Sequence, residues 1–235
     1  MENTPPDVGA PESIGENKVW YLKKNRLFAN APDETVVEGA EIFTMQLLPK
    51  RSTFFDQGDA NKVVFLIKTG RVRISRNTAE GKEVTVAILG PGDMFGEDAL
   101  FGGMERTTVA TCMEETLICK AHADDLIGLL TGNSGLALNV AQMLSDRLGD
   151  ASATIEDLAY AKISDRLVNL FDRLAGELGR ATDDGTFLDV RLTHQDIASI
   201  IGSTRETVSL EMNHLVRAGQ IKQGGGYITV LTRKD

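Results

Sequence analysis

The chain has 235 residues, 42% of them hydrophobic and 25% charged, the balance of a globular protein with room for two domains rather than of a disordered tail. Its apolar runs fall far short of the roughly 20 residues a spanning helix needs. The acidic, Pro-containing start also lacks the basic-then-apolar order of a signal peptide, so a cytoplasmic protein with no membrane partner is expected. A net charge of −9 excludes nucleic-acid binding by bulk positive charge, but residues 163–235 hold 9 basic against 10 acidic residues while residues 1–162 hold 16 against 24, so any DNA contact belongs to the C-terminal third.

Residues 1–25, apart from Trp20-Tyr21, read as a mobile lead-in segment. From 26 to 134 the sequence is a series of short β-type runs, at 63–67, 71–74, 84–89 and 107–111. Turn signals separate them at Gln57-Gly58-Asp59, Lys68-Thr69-Gly70, Glu80-Gly81-Lys82 and Gly90-Pro91-Gly92-Asp93. Strands so closely set predict a sandwich or jelly roll. Over 135–162 the period changes: Val140, Leu144, Leu148, Ala151, Ile155 and Leu158 recur at intervals of 4, 4, 3, 4 and 3. That narrow stripe on a polar helix is a coiled-coil seam, which predicts a homodimer, with packing against the chain's own β domain as the alternative.

The segment 163–178 is a second amphipathic helix with Leu167, Leu170, Phe171 and Leu174 as its core stripe, and a polar loop is expected over 179–186. Thr193 is placed to cap a short helix reaching Ile200, Gly202 ends it, and Ser203 caps a further helix reaching about Ala218. Residues 220–230 read as two strands around a Gly224-Gly225-Gly226 tip. Helix, tight turn, helix and hairpin over 163–235 is the order of a winged helix-turn-helix. The expected fold class is therefore α+β: a β jelly roll over 26–134, a long dimerisation helix over 135–162 and a winged helix-turn-helix over 163–235.

Two stretches carry chemistry. The first, Gly96-Glu97-Asp98-Ala99-Leu100 through Arg106-Thr107-Thr108, is a short turn-and-helix insertion offering amides, carboxylate, guanidinium and hydroxyls. An Arg fork with amides and a hydroxyl can hold a phosphate, and a carboxylate can accept from a sugar hydroxyl, which are the needs of a small nucleotide. A buried Glu97–Arg106 ion pair that only staples the insertion is the alternative.

In the second stretch, 193–215, Ile197, Ala198, Ile201, Val208, Met212 and Leu215 can form the inner faces of two helices. This leaves Thr204, Arg205, Glu206 and Ser209 outward near the second helix's N-terminus, the end that enters the major groove in this motif. Arg205 can read guanine O6 and N7, Glu206 can accept from cytosine N4, and Ser203 and Thr207 are placed for phosphates or bases. Ser203-x-x-Glu206 is equally a capping box.

Gly96-Glu97-x-Ala99-Leu100, with Arg106-Thr107 nine residues after the glutamate, resembles the phosphate-binding cassette of cyclic-nucleotide-binding domains. With the long helix and winged C-terminus, the chain after about residue 26 resembles the Crp/Fnr family of bacterial transcription regulators. The resemblance implies that Glu97 accepts from the ribose hydroxyl, Arg106 pairs with the cyclic phosphate, Thr107 donates its hydroxyl to it, and Gly96 lets the backbone approach closely. In cAMP-responsive members two adjacent hydroxyl residues on the long helix reach the purine. Here that pair aligns with Ala151 and Ser152, so only Ser152 keeps a hydroxyl. The implied effector is cAMP, with another nucleotide or small molecule, or effector-independent activity, left open.

Arg205-Glu206-Thr207-Val208 resembles the family's recognition helix, which contacts a G-T-G-A half-site, and a further base-reading Arg of that helix corresponds here to Leu210. The resemblance thus implies a homodimer on double-stranded palindromic DNA with half-sites roughly 34 Å apart, activating through RNA polymerase. With no cysteine before Cys112 and only three histidines, no metal, haem or iron–sulfur cluster is expected, and Cys112, Cys119 and His122 read as structural. An enzyme is not expected, because no metal-ligand cluster and no nucleophile paired with a base are found, and Glu97 is the one cassette carboxylate weighed for chemistry.

Overall fold

The computed structural model describes residues 13–79, 81–101 and 105–232. The first twelve residues of the expected lead-in lie outside them. In chain order the elements begin with α1 (Ser13–Lys24), α2 (Asp33–Ile42), β1 (Thr44–Leu48), β2 (Thr53–Phe55), β3 (Val63–Thr69), β4 (Val72–Asn77) and β5 (Glu83–Leu89). They continue with β6 (Met94–Phe95), a 3-10 turn (Glu97–Phe101), β7 (Val109–Cys112), β8 (Thr116–His122), α3 (Ala123–Gly132) and α4 (Ser134–Tyr160). The C-terminal part holds α5 (Ile163–Leu178), β9 (Gly179–Thr182), β10 (Gly185–Leu188), α6 (His194–Ile201), α7 (Arg205–Arg217), β11 (Ile221–Gly224) and β12 (Tyr227–Leu231).

The jelly-roll strands form two four-stranded sheets, ordered β1-β8-β3-β6 and β2-β7-β4-β5. The backbone divides into two compact units: one takes the described residues to Val72 with Leu89–Arg106 and Cys112–Leu144, the other Arg73–Ile88, Thr107–Thr111 and the described residues from Ser145.

In the first unit β3 pairs antiparallel with both β8 and β6, and four consecutive residues, Val64 to Ile67, are buried, as a short uninterrupted apolar run predicts for a strand covered on both faces. Val64 and Leu66 join a core built with Leu22, Leu27, Phe28, Phe43, Leu126, Leu136, Val140 and Met143. Phe65, one step along the pleat, meets a separate aromatic cluster with Phe54, Phe55 and Phe95.

The end of the lead-in is built into this core. Tyr21 and Leu22 are buried, the Tyr21 hydroxyl donates to the Ile67 carbonyl at 2.5 Å, and Asn25 Nδ2 donates to the Tyr21 oxygen at 2.9 Å. The reading of this stretch as mobile is corrected for α1: Tyr21 and Leu22 are adjacent rather than three or four residues apart, so this buried pair carries no helical period to register.

The long helix appears as expected, but its apolar stripe divides. Val140 is buried in the first unit's core and Leu144 packs against it, whereas Leu148 and Ile155 are 69% and 67% exposed.

In the second unit α5 buries Leu167, Leu170, Phe171 and Leu174. The polar loop expected over 179–186 is instead the hairpin β9–β10, the outer half of a sheet ordered β11-β12-β10-β9. Every residue of β9 is exposed, so this edge strand has no apolar alternation to betray it. Thr193 caps α6 as expected, and the structure adds the reciprocal half of a capping box: Thr193 Oγ1 accepts from the Asp196 amide and Asp196 accepts from the Thr193 amide. Gly202 closes α6 in the left-handed conformation, φ 63°. The cap of α7 is Thr204 rather than Ser203: Thr204 Oγ1 accepts from the Thr207 amide at 3.2 Å, one residue later than expected. Among the described residues no helix is long and apolar enough to cross a membrane.

Candidate effector cassette and nucleic-acid interface

The cassette is assembled on the end of β6. Gly96 adopts φ +77°, and a Cβ there would lie 2.8 Å from the Val63 carbonyl oxygen and 3.2 Å from Arg106 Nη1. Glycine is therefore required on two counts, the left-handed backbone and the close approach to β3. Glu97 follows, half-buried at the head of the 3-10 turn that Ala99 and Leu100 anchor in the interior.

Arg106 lies beneath this turn with its side chain only 1% exposed. Its backbone is held by Arg106 N to the Asp59 carbonyl and Gly58 N to the Arg106 carbonyl, both 2.8 Å. Nε and Nη2 donate to Asn61 Oδ1 at 3.2 and 2.6 Å, Nη2 also to the Val63 carbonyl at 2.5 Å, and Nη1 to the Gly96 carbonyl at 2.9 Å. The remaining Nη1 donor pairs with the Asp98 carboxylate. The guanidinium also sits 4.3 Å from the centre of the Phe55 ring, over a cluster in which Phe65 and Phe95 stack at 4.8 Å. All five N–H donors of the fork thus have acceptors.

Gly96 and Arg106 are in direct contact, with Glu97 next in the chain. Arg106 forms an ion pair with Asp98, where the sequence had pointed to Glu97 as the candidate partner. Neither Asp98 nor the phenylalanine floor was singled out there; the available signals were a second carboxylate in the same turn and the Phe54-Phe55 doublet. Thr107 and Ser152 belong to the second unit and are both exposed. The Ser152 hydroxyl donates back to the Leu148 carbonyl at 2.8 Å. Cys112 and Cys119 are buried free thiols; burial pushes Cys119 up to about 11 and raises Cys112 as well. No group of three or more His, Cys, Asp or Glu side chains that could hold a metal occurs among the described residues.

The helix-turn-helix presents a second set of groups. Ile197, Ala198, Ile201, Val208, Met212 and Leu215 are all buried, as their spacing predicts. Arg205 and Glu206 are exposed in the first turn of α7. With Thr204 as cap, the Ser203–Glu206 box does not form and Glu206 remains available. Thr207 Oγ1 lies 2.9 Å from Thr204 Oγ1 within the cap, and Ser209 Oγ lies 2.6 Å from His194 Nδ1, tying α7 to α6. Ser203 donates its amide to the Ala198 carbonyl in the turn, and Leu210 stands exposed.

The β4–β5 segment of the second unit grips α6, which the sequence did not reveal. Arg73 bridges Glu83 and Asp196, each at 3.1 Å, while Ser199 Oγ accepts from the Thr85 amide at 2.8 Å and donates to the Glu83 carbonyl at 3.0 Å.

Comparison with known proteins accords with both halves. Residues 45–133 match the family described as Cyclic nucleotide-binding domain, and residues 162–235 the family described as Crp-like helix-turn-helix domain. The Cyclic AMP receptor protein of Thermus thermophilus is 29% identical over 209 residues, covering 89% of this chain and 94% of that protein. The Global nitrogen regulator of Synechocystis is 32% identical over 197 residues, covering 82% and 87%. The structure of the c-di-GMP responsive global regulator CLP of Xanthomonas campestris shares the fold, with a TM-score of 0.73 at 21% identity over 86% of this chain and 100% of that one. The chain therefore belongs to the Crp/Fnr family, as a transcription regulator, not an enzyme, that joins a cyclic-nucleotide-binding domain to a DNA-binding helix-turn-helix.

Proposed function

We propose that the chain acts in the cytoplasm as a homodimer that reads a palindromic double-stranded operator and activates transcription through RNA polymerase, under the control of cAMP or a related cyclic nucleotide held in the cassette. The observation that carries the operator reading is the first turn of α7, where Arg205 and Glu206 are exposed while Thr204 caps the helix. Arg205 reads guanine and Glu206 accepts from cytosine N4. Ser203, Thr204, Thr207 and Ser209 fix the turn and its register near the phosphates. The exposed Leu148 and Ile155 on α4 support a two-helix contact between copies. In the cassette Glu97 takes the ribose hydroxyl, Arg106 and Thr107 the cyclic phosphate, and Ser152 the purine, with Gly96 admitting the backbone. The Thermus relative named for cyclic AMP supports that effector.

A second reading, an effector-independent regulator, is favoured by one observation: the Arg106 fork is already fully occupied by protein acceptors.

The test is fluorescence anisotropy on a palindrome of G-T-G-A half-sites spaced by roughly one duplex turn of 34 Å, with and without cAMP. Arg205→Ala should cost about 1–3 kcal/mol at that operator and little on random DNA. Equal losses on both would make Arg205 a phosphate contact. Operator affinity raised by cAMP supports effector control; unchanged affinity favours the second reading.

A further inference from the structure

We propose that Asp98 is a built-in competitor for the anion seat of Arg106, so that a phosphate enters this cassette only by displacing the chain's own carboxylate. The proposal rests on the cyclic-nucleotide reading and assigns the residue that sets the affinity of that site.

The argument begins with the fork. Three of the four groups that receive its donors are neutral: Asn61 Oδ1 and the carbonyls of Val63 and Gly96. They hold the arm from the start of β3 and the end of β6, and none can leave without moving backbone or the segment before β3. Among the described residues Asp98 is the charged group that pairs with Arg106. It is also the partner most able to leave, because its side chain is 27% exposed where that of Arg106 is 1%. Its other hydrogen bond, accepted from the adjacent Ala99 amide at 3.1 Å, is local to the turn.

The carboxylate therefore accepts from both a guanidinium and a neighbouring amide, the same pair of donors that a phosphate oxygen takes. With Asp98 in place the seat has no open N–H and no net charge. A phosphate brought alongside would stand within a few ångströms of a like charge, which disfavours it. Once Asp98 turns to solvent, the same fork regains a full positive charge in a site shielded from water, where attraction for an anion is strongest. A ligand that also offers Glu97 a sugar hydroxyl gains binding energy to offset the exchange, whereas a bare anion does not. Asp98 thereby raises the effector concentration needed for occupancy and favours the complete nucleotide over free phosphate.

The test uses the full-length chain, Asp98→Asn, Asp98→Ala, and each combined with Arg106→Ala. Asn keeps the volume and an acceptor, so it remains informative if the alanine variant folds poorly. Calorimetric titration with cAMP should show both single variants binding about tenfold or more tightly than the parent, and no binding once Arg106 is replaced. Equal or weaker binding by folded Asp98→Asn overturns the proposal. If no version binds cAMP, the nucleotide reading fails, and the competition is decided with inorganic phosphate in a thermal-shift assay. Stabilisation of the Asp98 variants alone, lost with Arg106→Ala, upholds it, and stabilisation of none of them overturns it.

Discussion

Replacing Gly96 by alanine tests the geometry of the cassette at the point where it is least able to yield. At φ +77° a side-chain-bearing residue costs about 1–2 kcal/mol in backbone energy. The new Cβ would lie 2.8 Å from the Val63 carbonyl, a backbone atom of a strand paired on both sides, so a further cost of about 1–3 kcal/mol is expected from overpacking. Roughly 0.4–1 kcal/mol returns from the stiffer unfolded chain. The net of about 2–4 kcal/mol corresponds to a fall of very roughly 5–15 °C in the melting of the first unit, for a chain of this size. The same displacement strikes Arg106, whose Nη1 lies 3.2 Å from the added carbon and whose Nη2 bonds the Val63 carbonyl, so ligand binding should weaken too. Gly92→Ala is the control, since its φ is +94° but nothing lies within 4 Å. Differential scanning calorimetry should rank Gly96→Ala well below Gly92→Ala. Equal melting of the two would refute the claim that the Val63 carbonyl leaves no room for a side chain at position 96.

Three further outcomes are expected. Ile155→Asp places a charge on the exposed stripe of α4 and should shift the protein towards monomer in sedimentation velocity without altering its circular dichroism. Ser199→Ala strips the acceptor from the buried Thr85 amide, at a cost of about 1–3 kcal/mol for the orphaned donor, and should speed hydrogen exchange in α6. For the thiols, burial raises the pKa of Cys119 from 9.0 to about 11, so the folded state holds its proton more tightly than the unfolded one. The stability this gives is complete below pH 9 and is lost as pH rises towards 11. Thiol titration with a disulfide reagent at pH 7 should find both cysteines slow until denaturant is added.

The elements most legible in the sequence are those whose neighbours are fixed by their own pattern. The stripe Leu167, Leu170, Phe171, Leu174 names α5 to the residue, and Thr193 and Gly202 bracket α6, because amphipathic spacing and caps are local physics. Strand β9 was missed because an exposed edge has no buried face to print a period of two. The cap of α7 slipped by one because Ser203 and Thr204 are equivalent cap formers, and only the turn geometry after Gly202 selects between them. In the cassette Gly96, Glu97 and Arg106 were picked out by resemblance to a known motif, and the structure brings Gly96 and Arg106 into contact. Asp98 was not, because which of two adjacent carboxylates faces Arg106 is decided by the winding of a single 3-10 turn.

The division of the α4 stripe bears on how an effector could work at all. A 3.5-residue repeat declares an apolar face but not what covers it, and here the cover changes along one helix: Leu136, Val140 and Met143 are buried in the chain's own core, while Leu148, Ile155 and Leu158 remain exposed. In the proposed dimer, completing the burial of those three side chains from two copies yields roughly 5–10 kcal/mol gross. Association itself costs an estimated 4–15 kcal/mol, so the stripe alone leaves the register of the two helices weakly determined. That condition suits a switch, since a ligand can move an equilibrium only by the difference in its affinity for the two states, and one or two hydrogen bonds suffice when the opposing terms nearly cancel. Ser152 stands on this exposed half, its hydroxyl donating to the Leu148 carbonyl one turn back. In the proposed alignment Ala151 offers such a ligand no second hydroxyl on this stripe. The competition proposed at Asp98 would act on the same balance from the other side, by raising the ligand concentration at which the phosphate seat fills.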